Sequence, residues 1–346
     1  MKRLCLLATI LALTLSCSRG TGPLPRAKAS PDFREAFAAY VADVDASGEQ
    51  IHSIMVLQHG KVLAEQWWPG HDAAEEHGMW SVSKTFTAMA VGLAIEDGLL
   101  RLDDTVASFF PDQLPEEPDS LLLRMTVEDL LTMGSGFAKD PTRQIRESEA
   151  DWVQQILAIP VSEAPGTSFR YNSACSYLLS AIITKQSGQT LSEYLKPRLF
   201  EPLGIEGWNW EESPQGISCG GWGLYLKTED MAKMGQLLLQ EGCWHGKRLL
   251  PAGWIRTASA RHIASHPSLE SVARKGLNEE NSDWMQGYGY HIWLCRHHAY
   301  RAAGAHGQFI LVLPEQDAVI AMTAQNNKMQ AQLDRIWHHV LPVLKK

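Results

Sequence analysis

The stretch Trp80-Ser81-Val82-Ser83-Lys84-Thr85-Phe86-Thr87-Ala88-Met89-Ala90-Val91-Gly92-Leu93-Ala94 sets a hydroxyl and an amine three residues apart, then runs into apolar sequence. Phe86, Met89, Ala90, Leu93 and Ala94 recur at helical spacing and Gly98 follows as a stop, so a buried helix is predicted over Thr85–Asp97 with Ser81 at its start. Positions three apart share a helix face. A serine hydroxyl is a poor nucleophile at neutral pH, and a desolvated amine beside it eases loss of its proton. The N–H groups and positive end of the helix favour the developing alkoxide. Ser81 is the candidate nucleophile and Lys84 its activator. The spacing alone is weak, because a serine three residues before a lysine recurs by chance on solvated faces, so the rest of the chain has to decide.

Upstream, Asp32 to Ala46 reads as a helix, and His52–Gln58 and Lys61–Trp67 as strands joined at His59-Gly60. Downstream, residues 102–215 are helical in pattern with many breakers, including Val127–Met133, Glu149–Ile159 and Tyr177–Ser187. Helices return after Gly220, followed by strands at Tyr288–Leu294, Tyr300–Ala303, Phe309–Leu313 and Ala318–Ala324, and a last helix at Met329–Leu344. The predicted fold is α+β: an antiparallel sheet built from both chain ends, flanked by helices, with an inserted mostly helical subdomain. One catalytic domain is expected over residues 33–346, its sheet part at about 33–105 and 220–346 and its helical part at about 106–219.

A second polar cluster, Tyr171-Asn172-Ser173, follows Pro165-Gly166-Thr167 and precedes an apolar helix. A phenol there can shuttle a proton between nucleophile and leaving group if a cation stabilises the phenolate; the bland alternative is a core or capping tyrosine. With this cluster in view, the run Ser81 to Thr87 resembles the SxxK motif of class C β-lactamases and the related penicillin-binding proteins, esterases and amidases. The resemblance extends through Met125-Thr126-Val127 to Gly134-Ser135-Gly136, then through Pro165 to Ser173 and Pro202-Leu203-Gly204-Ile205, and so spans most of residues 50–325. It implies a serine hydrolase in which Ser81 forms an acyl-enzyme, Lys84 assists and Tyr171 carries the proton; no cofactor and no metal are expected.

Two positions depart from the lactamase pattern. Ser173 stands where that pattern has asparagine, with Asn172 one place earlier. The third motif falls on Ala302-Ala303-Gly304, by the spacing of Gly304 to Gly307, so its lysine is absent. Arg301 is a candidate substitute charge, a structural ion pair being the alternative, and the N–H of Ala305 a candidate oxyanion donor with that of Ser81. Asn172 and Ser173 complete the candidate substrate contacts. Ester or amide hydrolysis on a small-molecule or peptide-like substrate is therefore expected over efficient β-lactam turnover. The competing activities are β-lactamase or D-alanyl-peptide carboxypeptidase, and a non-catalytic penicillin- or peptidoglycan-binding lipoprotein.

The ends and composition add a setting. Lys2 and Arg3 precede an apolar run, Leu4–Leu15, which predicts a signal peptide over residues 1–16 and export to the periplasm. Cys17 resembles a lipidation site, giving a possible membrane attachment; simple signal cleavage is the alternative. Residues 17–32, rich in Gly and Pro, are expected to be a flexible tether. A net charge of -8 without a basic stripe excludes nucleic acid as an expected partner. Cys175, Cys219, Cys243 and Cys295 allow either two disulfides or four thiols. His71, Asp72 and His77 fit no metal-site spacing, and His306 and Trp222 are each either packing or pocket residues.

Overall fold

The computed structural model describes residues 21–265 and 276–345. Ser30 caps helix α1 (Pro31–Ser47) by accepting from the Phe33 N–H, Pro31 fills its first turn, and Gly48 ends it in the left-handed region at φ 65°. Strands β1 (Ile51–Gln58) and β2 (Lys61–Trp67) form a hairpin whose turn residues His59 and Gly60 both have positive φ, as a mirror-type tight turn demands. After β3 (His77–Gly78), a single 3₁₀ turn at Trp80–Val82 feeds α2 (Ser83–Glu96). All side chains of α2 from Ser83 to Ala94 are buried, which explains an apolar pattern on every face.

Short helices fill the middle of the chain, and the long one among them, α3 (Ser173–Ser187), packs on α2. Next come β4 (Asn209–Trp210), β5 (Leu224–Leu226), α4 (Thr228–Leu239), β6 (Trp293–Leu294), β7 (Tyr300–Gly304), β8 (Gln308–Leu313), β9 (Ala318–Ala324) and α5 (Met329–Arg335). The main sheet is antiparallel in the order β2-β1-β9-β8-β7-β6, and β3-β5-β4 form a small second sheet. β1 from the front of the chain lies beside β9 from its end, with Ile54 opposite Met322 and Val56 opposite Ile320. The sheet is thus built from both ends of the chain, as expected. Every residue of β8 and β9 is buried, so both faces of the sheet centre are covered. On one face α4 approaches so closely that a Cβ on Gly235 would lie 2.4 Å from a Val319 methyl.

Several expectations change. From residue 21 the presumed tether is packed: Leu24 is buried, the Val62 N–H donates to Pro25 O and the Ala27 N–H to Val62 O, and Arg26 pairs with Glu65 and Glu229. Free backbone groups on the edge strand β2 recruit this segment despite its composition. The strand expected at Tyr288–Leu294 shrinks to β6, because Gly287 and His291 have positive φ and the His291 N–H turns away to Leu131 O. The last helix gives way after Arg335 to a wide turn at Ile336–Val340. Cys175, Cys219, Cys243 and Cys295 all carry free thiols. The signal peptide and Cys17 lie outside the described residues.

Candidate active site

Ser81 sits on the turn before α2, one residue after Trp80, whose φ of 48° is a strained value for a bulky side chain. The turn is tied down by Ser83, whose hydroxyl donates to Trp80 O at 2.7 Å and accepts from the Leu224 N–H at 3.3 Å. One turn on, Lys84 is 1% exposed. Its Nζ donates to Ser81 Oγ at 2.9 Å, Ser173 Oγ at 3.0 Å and Gly221 O at 2.7 Å. Loss of water pulls the Lys84 amine down to about pKa 7, with the charge of Asp140 opposing. Near neutrality the amine therefore spends much of its time with a free lone pair beside the serine hydroxyl.

Glycine makes the third contact possible. A Cβ on Gly221 would lie 2.9 Å from Ser173 O and 3.4 Å from Lys84 Nζ, and one on Gly220 would lie 2.4 Å from Ser176 O. Thr87, one turn beyond Ser83, donates to Gly220 O at 2.7 Å and fastens the segment to α2. At the sheet edge, a Cβ on Gly304 would lie 2.3 Å from Met79 O. That close approach brings the end of β7, and Ala305 after it, against the turn that carries Ser81.

Tyr171 joins Ser81 and Lys84. Its ring centroid is 5.0 Å from Lys84 Nζ, and it stacks on Trp293 at 5.6 Å with Tyr288 edge-on at 6.3 Å. This apolar enclosure raises the phenol pKa above its ordinary value, while hydrogen bonding with Ser81 and the charge of Arg301 act in the opposite direction. Ser173, the first residue of α3, also faces Lys84. Asn172 does not: it is fully buried, accepts from the Ala174 N–H at 2.9 Å and donates to Lys139 O at 3.3 Å. It is the N-cap of α3, which removes it from the candidate substrate contacts.

Arg301 is also corrected. Strand alternation turns it away from the nucleophile, and it is fully buried with Nη1 donating to Asp283 O, Leu294 O and Cys295 Sγ. Its guanidinium lies 4.3 Å from the Trp284 ring centroid, so it acts on the site only as a charge at a distance.

Two participants carried no assigned role in the sequence, although Gly220-Gly221-Trp222-Gly223 resembles a segment near the site in the family. One is the Gly221 carbonyl. The other is Asp140, which accepts from the Ser173 N–H at 3.0 Å and sends its negative charge onto Lys84. Asp140-Pro141 signals only a turn in sequence. Trp80 meets His306 edge-on at 5.2 Å, with His306 Nδ1 3.2 Å from Asn327 Oδ1, so His306 stands near the turn that carries Ser81. His52, His71 and His77 cluster near Glu75, but no group of three or more such side chains among the described residues is arranged to hold a metal ion.

The Beta-lactamase family model matches residues 33–344. The chain belongs to the Beta-lactamase family. It is similar to 6-aminohexanoate-dimer hydrolase of Paenarthrobacter ureafaciens, 23% identical over 86% of this chain and 79% of that protein. It is also similar to the Beta-lactamase of Escherichia coli strain K12, 24% identical over 74% of this chain and 77% of that one. The solved structure of a D-stereospecific amidohydrolase from Streptomyces superposes with a TM-score of 0.68 at 17% identity, covering 90% of this chain and 99% of that chain. The protein is a serine hydrolase of this family, acting on amide or ester bonds.

Proposed function

We propose that the protein hydrolyses small or peptide-like esters and amides through an acyl-enzyme on Ser81. Lys84, neutral near pH 7, takes the Ser81 proton as the hydroxyl attacks the carbonyl. Tyr171 passes a proton to the leaving group, and water then releases the acyl chain. The N–H groups of Ser81 and Ala305 receive the oxyanion. The single observation that carries this reading is the 2.9 Å contact between Ser81 Oγ and an amine whose pKa is lowered to about 7.

Ser173 in place of an asparagine, and Ala302 in place of the third-motif lysine, favour open-chain substrates over β-lactams. A hydroxyl cannot supply an amide's paired donor and acceptor. The names of two relatives, a 6-aminohexanoate-dimer hydrolase and a D-stereospecific amidohydrolase, agree with an amide substrate. The test is turnover of a p-nitrophenyl ester and labelling by a fluorophosphonate, each compared with Ser81→Ala. Turnover and labelling lost in the variant support the reading. Equal turnover refutes it; label without turnover would assign a binding protein, and nitrocefin outpacing esters a β-lactamase.

The apolar run Leu4–Leu15 and Cys17 support export to the periplasm and a lipid anchor. Palmitate incorporation that disappears in Cys17→Ala is the expected result; incorporation that persists contradicts the anchor.

A further inference from the structure

Beside the nucleophile turn lies a cleft of about 250 Å³ lined by Gly78, Trp80, Arg146, Glu211, Trp222 and Tyr225, among others. Both of its walls continue from residues already placed at the site: Trp80 precedes Ser81, and Trp222 follows Gly221, whose carbonyl holds Lys84. Trp80 and Tyr225 are each 42% exposed, and two open rings facing one cleft suit an aliphatic chain. At the cleft stand opposite charges. Glu211 is engaged: its Oε1 accepts from Trp222 Nε1 at 3.2 Å and from Arg146 Nη2 at 3.3 Å.

Arg146 is not. It spends only Nη2 on Glu211, at 3.3 and 3.4 Å to the two oxygens, and its Nε and Nη1 bond to nothing among the described residues. The guanidinium is held over the Trp222 ring, 5.5 Å from the centroid, and its side chain is 43% exposed. A charge-assisted hydrogen bond from a guanidinium favours a carboxylate, and the Nε and Nη1 donors of Arg146 are unspent.

We propose that this cleft is the acyl-group subsite and that Arg146 selects acyl chains ending in a carboxylate. The inference rests on Ser81 as the nucleophile. Its test compares three p-nitrophenyl esters of matched chain length, ending in a carboxylate, a methyl ester and an ammonium, and reads ratios of kcat/KM. The carboxylate ester should lead the neutral one in the wild type. Arg146→Gln should lower that ratio roughly tenfold to hundredfold, the range for a charge-assisted hydrogen bond. Glu211→Gln, which frees Arg146 from its partner, should raise the ratio, and it keeps the test open if Arg146→Gln misfolds. A wild-type preference for the neutral or ammonium ester, or a ratio unmoved by both substitutions, overturns the proposal. Failure of the nucleophile assignment shows separately, as turnover of the neutral ester by Ser81→Ala.

Discussion

Replacing Lys84 by methionine separates what the amine costs the fold from what it does for catalysis. Burial takes its pKa from 10.5 to about 7, a fall of about 3.5 that corresponds to roughly 5 kcal/mol at about 1.4 kcal/mol per pKa unit. The unfolded lysine holds its proton up to about pH 10.4, and the folded one only up to about 7. Between those values unfolding takes up a proton, so the folded state gains stability as pH rises through the window, and below pH 7 the full cost remains. Lys84→Met has no such proton. Urea unfolding of both proteins from pH 6 to 10 should show the difference between them moving toward the wild type by about 4 kcal/mol, with the titrations of groups that do not feel the Lys84 charge cancelling. At pH 7 the variant is offset by its own loss, since Ser173 Oγ and Gly221 O give up a donor at about 1–3 kcal/mol each. In the same samples, wild-type kcat/KM should rise with pH through about 7, and the variant should lose roughly 10²–10⁴. A pH-independent stability difference, or an activity limb far from 7, would refute the idea of a buried amine that is neutral at work.

Gly221→Ala puts a methyl 2.9 Å from Ser173 O and displaces the carbonyl that holds Lys84; kcat should fall at least about tenfold, and unchanged kcat by steady-state assay would remove that carbonyl from the mechanism. Asp140→Asn deletes a charge that raises the Lys84 pKa, so the acid limb of the kcat/KM profile should move to lower pH; a shift upward contradicts the assigned sign. Gly304→Ala forces β7 away from Met79 O at 2.3 Å, so acylation measured by stopped flow should slow while the far-UV spectrum is kept, and normal acylation would detach the strand end from the site.

Much of the fold was legible because its signals are local. Ala318–Ala324 is continuous apolar sequence and forms the strand it predicts. The apolar helix after Ser81 is present and starts two residues before the predicted Thr85, because Ser83 turns inward to bind Trp80 O and the Leu224 N–H. What stayed hidden was long-range. Aromatic residues suggested a strand through Tyr288, yet the His291 N–H prefers Leu131 O across the molecule. Pro and Gly suggested a free tether, yet Pro25 and Ala27 found the edge of β2. At the site, the pairing of Ser81 with Lys84 followed from helix geometry, whereas the choice between Asn172 and Ser173 depended on where α3 begins. The cap turned Asn172 inward and left the Ser173 hydroxyl to Lys84.

The most direct test of the central claim is intact mass spectrometry of protein quenched during ester turnover, followed by peptide mapping. One acyl group on the peptide containing Ser81, absent in Ser81→Ala, is the predicted result. An acyl group on another residue, or full turnover by Ser81→Ala, would contradict it.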